Sequence, residues 1–351
     1  SDVDIILCDV SDPPSLAEMC KKASVVLDCV GPYRFYGEPV VKACVENGAH
    51  FVDISGEPQF LEGMYLKYNS QAAEKSVYIV GSSGFDSIPA DLGVLSPEIA
   101  SIIKNSTPCN HVCICVSFCL IGTCIHDGTW QSAIHGIADQ GNLRKLRKQL
   151  AYKPLPVVGK KIKRRGTVCY SNELKEYAIP FLGADASVVK RTQRYLYENL
   201  QESPVSFAFW GHVCTHAYSL NLVFFQLIIF ISFQFPKFFS FGYFSKEGPT
   251  QEQMDGASFT MTFFGEGYSQ GYNPQDGTPN VKICTQVSGP EAGYVATPIA
   301  MVQTGVTILK EPSLLPKSGG VYTPGAAFSK TKLIERLNKA GLHFTVISKP
   351  E

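Results

Sequence analysis

Residues 25–57, VVLDCVGPYRFYGEPVVKACVENGAHFVDISGE, decide the fold. The run from Ser24 to Val30 is apolar enough for a buried strand, and Gly31-Pro32 stops it. Residues 38–47 predict a helix with Pro39 in its first turn, where the missing N–H is tolerated, and Gly48 as its C-terminal cap. Phe51 to Ile54 predicts the next strand. A strand, a helix and a second strand at this spacing make one parallel unit with a right-handed crossover.

The same rhythm extends in both directions. Upstream, Asp4 to Cys8 is a short apolar run that reads as a strand ending at Asp9, and residues 13–22 read as a helix. Downstream come a helix over 58–75, a strand from Val77 to Val80, the turn Gly81 to Gly84, and a helix starting near Asp86-Ser87 with Pro89 in its first turn. The pattern then changes. Residues 111–120, 257–264 and 280–287 alternate like strands with one buried face. Residues 292–310 and 329–340 read as helices, the second ended by Gly341, and Phe344 to Ile347 closes the chain as a strand. The class is α/β: a parallel sheet first, then an α+β unit.

The 351 residues are 45% hydrophobic and 18% charged, with 31 basic and 31 acidic side chains. That composition excludes a wholly disordered chain. The charge balance argues against a nucleic-acid binder held by its overall charge. There are 12 cysteines and no secretory signal, so free thiols in a reducing compartment are expected, in a protein that is not secreted. The chain lacks an initiator Met and opens almost directly on a strand, so we expect further polypeptide before Ser1.

Two stretches depart from ordinary globular composition. Residues 141–172 carry no acid but ten Lys or Arg, among them Arg144, Arg147, Lys161 and Arg165. They can be a solvated face, a clamp for an anionic substrate, or a membrane-surface patch. Residues 203–236 carry no Lys, Arg, Asp or Glu, and their centre, Ala217 to Phe235, is 19 residues long. A membrane-crossing helix needs about 20 apolar residues. A core helix remains open, but the neighbouring basic stretch favours membrane or lipid-surface association.

Several long motifs resemble the saccharopine dehydrogenase-like oxidoreductases: residues 25–57 themselves, GSSGFDSIPADLG (81–93), HDGTWQSAIHG (126–136), VVKRTQRYLYE (188–198), FPKFFSFGYFSKEGPT (235–250), GPEAGYVATPIAMVQTG (289–305) and GGVYTPGAAFSKTKLIERL (319–337). Residues 95–125 and 207–233 follow the family pattern poorly. The resemblance implies an incomplete Rossmann-type domain over 1–93, lacking its first βαβ unit, and an α+β substrate domain over 94–320 with an apolar insertion. A C-terminal helix and strand over 321–351 are expected to return to the first domain. It also implies that the first strand here is the third of the complete fold. The Gly-rich turn that holds a pyrophosphate, and the loop that separates NAD from NADP, are not in this sequence.

Ligands of such sheets sit beyond the carboxyl ends of the strands. Three ends are present: Cys29-Val30-Gly31-Pro32-Tyr33, Asp53-Ile54-Ser55-Gly56-Glu57 and Gly81 to Asp86. We expect the cofactor to meet Asp9, Cys29, Val30, Gly31, Pro32, Tyr33, Ser55 and Gly84. The acid–base candidates are Tyr33, Ser55 and Asp86, with Asp53, Glu57 and His126 behind them. The structural alternatives are that Asp86 or Ser87 caps the next helix and that His126-Asp127 starts one.

Other signals read as structure. Gly265 to Gly271 is a strand end and hairpin, because Glu266 repels phosphate and Tyr272 to Pro279 cannot begin a helix. Cys113, Cys115 and Cys119 share a strand face, but the first and last lie about 20 Å apart at about 3.3 Å per residue. No CxxC pair exists, so packed thiols are expected and no metal.

The resemblance therefore implies an oxidoreductase using NADP or NAD, with NADPH favoured. Bacterial relatives act as enoyl reductases, which points to a lipid-like acyl substrate in lipid metabolism. The expected setting is intracellular, at a membrane or lipid droplet or in the mitochondrion, with no nucleic-acid partner and a homo-oligomer left open. A different class remains beside it: a non-catalytic lipid-surface scaffold on a decayed Rossmann fold.

Overall fold

The computed structural model describes residues 3–95, 111–119, 124–157, 169–171, 175–181, 183–213, 244–269 and 279–348. Strands β1 (Val25–Asp28), β2 (His50–Asp53), β3 (Tyr78–Val80) and β12 (Gly320–Tyr322) form a parallel sheet in that order. Helices α1 (Pro13–Lys21), α2 (Tyr33–Asn47) and α3 (Pro58–Glu74) pack on one face. Their core includes Val41, Phe51 and Ile79, all within 2% of full burial. Burying each such side chain stabilises the fold by about 1.5–3 kcal/mol.

Two helix and strand expectations are corrected. The first is α2, which starts at Tyr33 rather than 38, so Pro39 lies inside it. The start is set by Pro32, whose carbonyl accepts from Phe35 N and Tyr36 N, and by Glu57, which accepts from Tyr33 N. Pro39 therefore leaves the Phe35 carbonyl without its helical donor. The second is the run Asp4 to Cys8, which is not a strand: Val3, Ile5 and Leu7 are more than 80% exposed. A strand exists only through its ladder, and no described strand lies beside these residues.

A second sheet has seven strands in the order β13-β11-β10-β4-β8-β7-β6. They are β4 (His111–Cys119), β6 (Cys169–Ser171), β7 (Glu176–Pro180), β8 (Ser206–Val213), β10 (Ser258–Gly267), β11 (Val281–Pro290) and β13 (His343–Ser348). Its pairs are antiparallel except β4 with β8. Thus β12 joins the parallel sheet while β13 joins this second one. Strands β5 (Ile125–His126) and β9 (Phe244–Ser245) pair separately.

Between the sheets lie α4 (Ile88–Val94) and α9 (Thr297–Lys310), in one continuous core with Val52, Val80, Met261 and Phe263. The fit is close at Gly93: a Cβ there would lie 2.2 Å from the Phe263 ring. Around this frame are α5 (Asp127–Ala138), α6 (Gln140–Leu150), α7 (Asp185–Leu200), α8 (Gln251–Gly256), α10 (Pro324–Phe328) and α11 (Leu333–Ala340).

The uncharged segment is also partly corrected. Residues 206–213 are β8, an interior strand with Phe209 and Trp210 buried, so its start belongs to the folded core. Ala217 to Phe235 lies outside the described residues. Among those described, one helix, Ala292–Lys310, is long and apolar enough to cross a bilayer, and it includes α9, which packs on β1 and β2. Of the basic stretch, α6 is a solvated helix whose Arg147 reaches Glu62 at 2.8 Å. Residues 158–168 and 270–278 lie outside the description; the strand end expected from Gly265 is that of β10, which pairs antiparallel with β11.

Candidate active site

The carboxyl ends of β1, β2 and β3 converge, as parallel pairing in register requires. At the first end, Cys29, Val30 and Gly31 are exposed and Pro32 is half-buried. The atoms nearest a Cβ built on Gly31 belong to Tyr33, the first at 3.5 Å, and the glycine itself is exposed, so the turn can accept a flat ligand. The Cys29 thiol contacts the Met301 sulfur at 3.7 Å, and burial pushes its pKa up.

Asp28, just before this turn, is 4% exposed. Its Oδ1 accepts from Val30 N at 3.0 Å, while Oδ2 has no partner among the described residues. Burial, with a smaller push from Asp53, raises its carboxyl to about 7. Sequence reasoning missed this residue because it reads as the polar end of an apolar strand.

Tyr33 is held in the wall. Its hydroxyl donates to the Asp28 carbonyl at 2.9 Å, and burial drives its pKa far up. Proton donation from Tyr33 would have to break that bond. Ser55 is fully buried, and both its hydroxyl (2.7 Å) and its N–H (2.8 Å) donate to Asp53 Oδ1. Ser82 N donates to the same oxygen at 3.0 Å. Burial still outweighs these bonds and holds Asp53 at about 6. The Asp53–Ser55–Ser82 cluster is a brace between the ends of β2 and β3.

Glu57 is 1% exposed and ion-paired to Arg34 Nε at 2.7 Å. Arg34 Nη1 also donates to the His135 carbonyl at 2.9 Å, and Gln59 donates to the Gly136 carbonyl at 2.9 Å. These contacts clamp α5 over the second strand end. His126 sits at the start of α5, where its Nδ1 accepts from Gly128 N at 3.1 Å. Its ring is committed to the helix start.

At the third end, Gly84 is buried. A Cβ there would meet Thr297 Cγ2 at 2.9 Å and Ile54 at 3.2 Å, and Thr297 Oγ1 accepts from Phe85 N. Gly84 is thus buried where α9 packs against it. Asp86 does not cap α4. Ser87 occupies the cap position without a side-chain bond, at φ 135°, a conformation that costs a non-glycine residue about 1–3 kcal/mol.

Asp86 instead faces Asp185, the first residue of α7, in a shared carboxyl hydrogen bond. Burial raises both, and the charge of Asp86 lifts Asp185 well above the carboxylate range. Two adjacent carboxyls cannot both ionise without a cation between them, so Asp185 keeps a proton and donates to Asp86. Asp86 is the less buried of the two, and its Oδ2 would lie 2.0 Å from a Cβ on Gly56. The pair therefore abuts the second strand end. Asp185 lies far away in sequence, and no local signal marks it.

Asp9 is exposed. Its Oδ1 accepts from Ser11 N (2.8 Å) and Ser11 Oγ (2.7 Å), which lower its pKa. Its hydrogen bonds among the described residues go to residues 11–15 and not to the three strand ends. No group of His, Cys, Asp and Glu able to hold a metal occurs among the described residues.

The strand ends fit the nicotinamide half of a dinucleotide. Gly31 permits close approach, and the orphaned Asp28 Oδ2 is an oxygen that a carboxamide N–H would satisfy. No Gly-rich strand–turn–helix for a pyrophosphate occurs among the described residues.

Known proteins match this arrangement. Residues 1–80 match the family model described as saccharopine dehydrogenase NADP binding domain. A human protein named saccharopine dehydrogenase-like oxidoreductase is 60% identical, over 100% of this chain and 84% of its own length. A Caenorhabditis elegans protein named lipid droplet localized protein is 37% identical, over 99% of this chain and 85% of its own. An Arabidopsis thaliana protein named probable mitochondrial saccharopine dehydrogenase-like oxidoreductase is 35% identical, over 99% of this chain and 84% of its own.

Proposed function

Because this chain belongs to the saccharopine dehydrogenase-like oxidoreductases, we propose that it reduces a lipid-like acyl substrate, with NADPH preferred to NADH, at a membrane or lipid-droplet surface. The observation that carries this reading is the Asp86–Asp185 pair, a proton store that abuts the second strand end at Gly56. The NADP-binding family model over residues 1–80 supports the cofactor. The worm relative's name and the uncharged sequence from Ala217 to Phe235 support the lipid surface.

When bound, the cofactor supplies a hydride, which saturates one carbon of a conjugated acyl double bond. The neighbouring carbon then needs a proton. Asp185 holds one at neutral pH, and Asp86 passes it toward the cleft before the pair is refilled from water. Gly31 and Pro32 would shape the seat of the nicotinamide ring, and Asp28 Oδ2 would accept from its carboxamide. The Arg34–Glu57 pair and α5 cover the site and exclude water.

The test is a fluorescence titration of the full-length protein in mild detergent with NADPH and with NADH, followed by turnover of α,β-unsaturated acyl substrates. We expect saturable binding, tighter for NADPH, and loss of NADPH absorbance with substrate. Asp86→Asn should lower kcat by about 10²–10⁴ with binding retained. Silence toward both cofactors would overturn the oxidoreductase reading and leave the lipid-surface scaffold.

A further inference from the structure

Away from the strand ends, α3, α7 and β12 enclose a cavity of about 220 Å³. At about 30 Å³ per liquid water it has room for about seven waters, or a small polar molecule. Its walls are Tyr65, Tyr152, Tyr195 and Tyr322, and two arginines, Arg191 and Arg194, line it.

The two arginines differ in one respect. Arg194 is satisfied: it donates to Glu198 at 2.8 Å and to the Lys153 carbonyl at 2.7 Å, and it lies 4.4 Å over the Tyr152 ring. Arg191 lies 5.6 Å over the Tyr65 ring and forms no hydrogen bond or ion pair among the described residues. The nearby acids are occupied elsewhere. Glu62 is held by Arg147 and by Ser187 Oγ at 2.9 Å. Asp91 Oδ2 is held by Thr192 Oγ1 and Gly325 N, both at 2.7 Å, and its Oδ1 makes no hydrogen bond. Burial opposes the Arg191 charge, yet a guanidinium cannot give up its proton in a protein. Glu62 and Asp91 offset its charge without hydrogen-bonding it, so its fork of N–H groups is left to take a ligand in the cavity it lines.

A second donor is set beside it. Asn69 Oδ1 accepts from Val321 N at 2.9 Å, which turns the amide so that Nδ2 is left to donate, with no partner among the described residues. A planar fork of N–H groups, an amide N–H and phenol walls match one chemistry: two or three oxygens sharing a negative charge.

We propose that the cavity between α3, α7 and β12 is a second ligand site, which binds the carboxylate or phosphate group of a small molecule through Arg191 and Asn69. It stands apart from the strand-end cleft and does not depend on the reaction assigned there.

The test is isothermal calorimetry on the full-length protein with inorganic phosphate, with acetate, and with chloride at matched ionic strength. The expected result is saturable binding of phosphate, acetate or both, and none of chloride. Phosphate alone marks a phosphate-bearing ligand, and acetate alone marks a carboxylate. Arg191→Met should weaken the binding by about tenfold or more, while Arg191→Lys, which keeps the charge but loses the fork, should fall between. NADPH titration of Arg191→Met checks that the fold and the other site persist. Absence of saturable binding by both anions overturns the proposal. So does parental affinity in Arg191→Met, which would place the anion in the strand-end cleft.

Discussion

One helix, α7, carries two buried charge environments that solve the same problem in opposite ways. At its start Asp185 faces Asp86 with no cation between them, and nearly two turns on Arg191 lies over the Tyr65 ring with no carboxylate hydrogen-bonded to it. A carboxyl escapes the cost of burial by keeping its proton. A guanidinium has no such exit, so it must be given a counter-charge. The comparison teaches that an unpartnered buried acid stores a proton, whereas an unpartnered buried arginine marks a place for something else.

The largest effect should come from turning a paired acid into an unpaired one. Arg34→Met leaves Glu57 buried without its cation, and urea unfolding should show a loss of about 3–5 kcal/mol. A loss below one would mean that Glu57 simply takes up a proton, as Asp185 does.

Next comes Asp28, an acid that already lacks a cation. Its carboxyl is raised from 3.8 to about 7, so its stability contribution is full below about pH 4 and is lost as pH climbs through 7. Asp28→Asn removes that titration. Relative to the parent, it should gain about 4 kcal/mol between pH 4 and pH 8 in denaturant melts. A constant difference across that range would remove Asp28 from the set of proton-holding acids.

Asp185→Asn tests the pair itself. Both carboxyls are raised, so the parent should lose stability with rising pH, and the variant should lose less of it. Parallel stability–pH curves would sink the shared-proton arrangement. The smallest effect belongs to the surface, where Lys67 meets Glu38 at 2.7 Å with both side chains about half exposed. Lys67→Ala should cost about 0.2–1 kcal/mol, and less in high salt.

Much of the parallel sheet was legible because its strands are short apolar runs closed by Gly and Pro, with helices between. The stretch 25–57 carries that signal almost unaided. The start of α2 was not legible, because a glutamate carboxylate twenty-four positions on receives the Tyr33 N–H. Asp4 to Cys8 has strand composition, but composition does not supply a neighbour. Residues 206–213 looked like the entry to a membrane segment because an interior strand of a covered sheet is also apolar and uncharged. The strand-end loops were found from topology. The partner of Asp86 and the placing of Arg191 arise from tertiary contacts that no local pattern encodes, and the packing of Gly84 depends on a helix that begins at Thr297.

The contact between Gly93 and Phe263 has a mechanical consequence. With α4 wedged so tightly that a single methyl would collide with the ring, the two sheets cannot slide past one another without unpacking a continuous core. The core they share includes Val52 and Val80 from the first sheet and Met261 and Phe263 from the second. Any motion that admits a substrate, closes over it and lets the product go must therefore come from the segments hung on that core. Such a machine keeps its reacting groups in fixed register while its covers open and shut, and its pace is set by those covers.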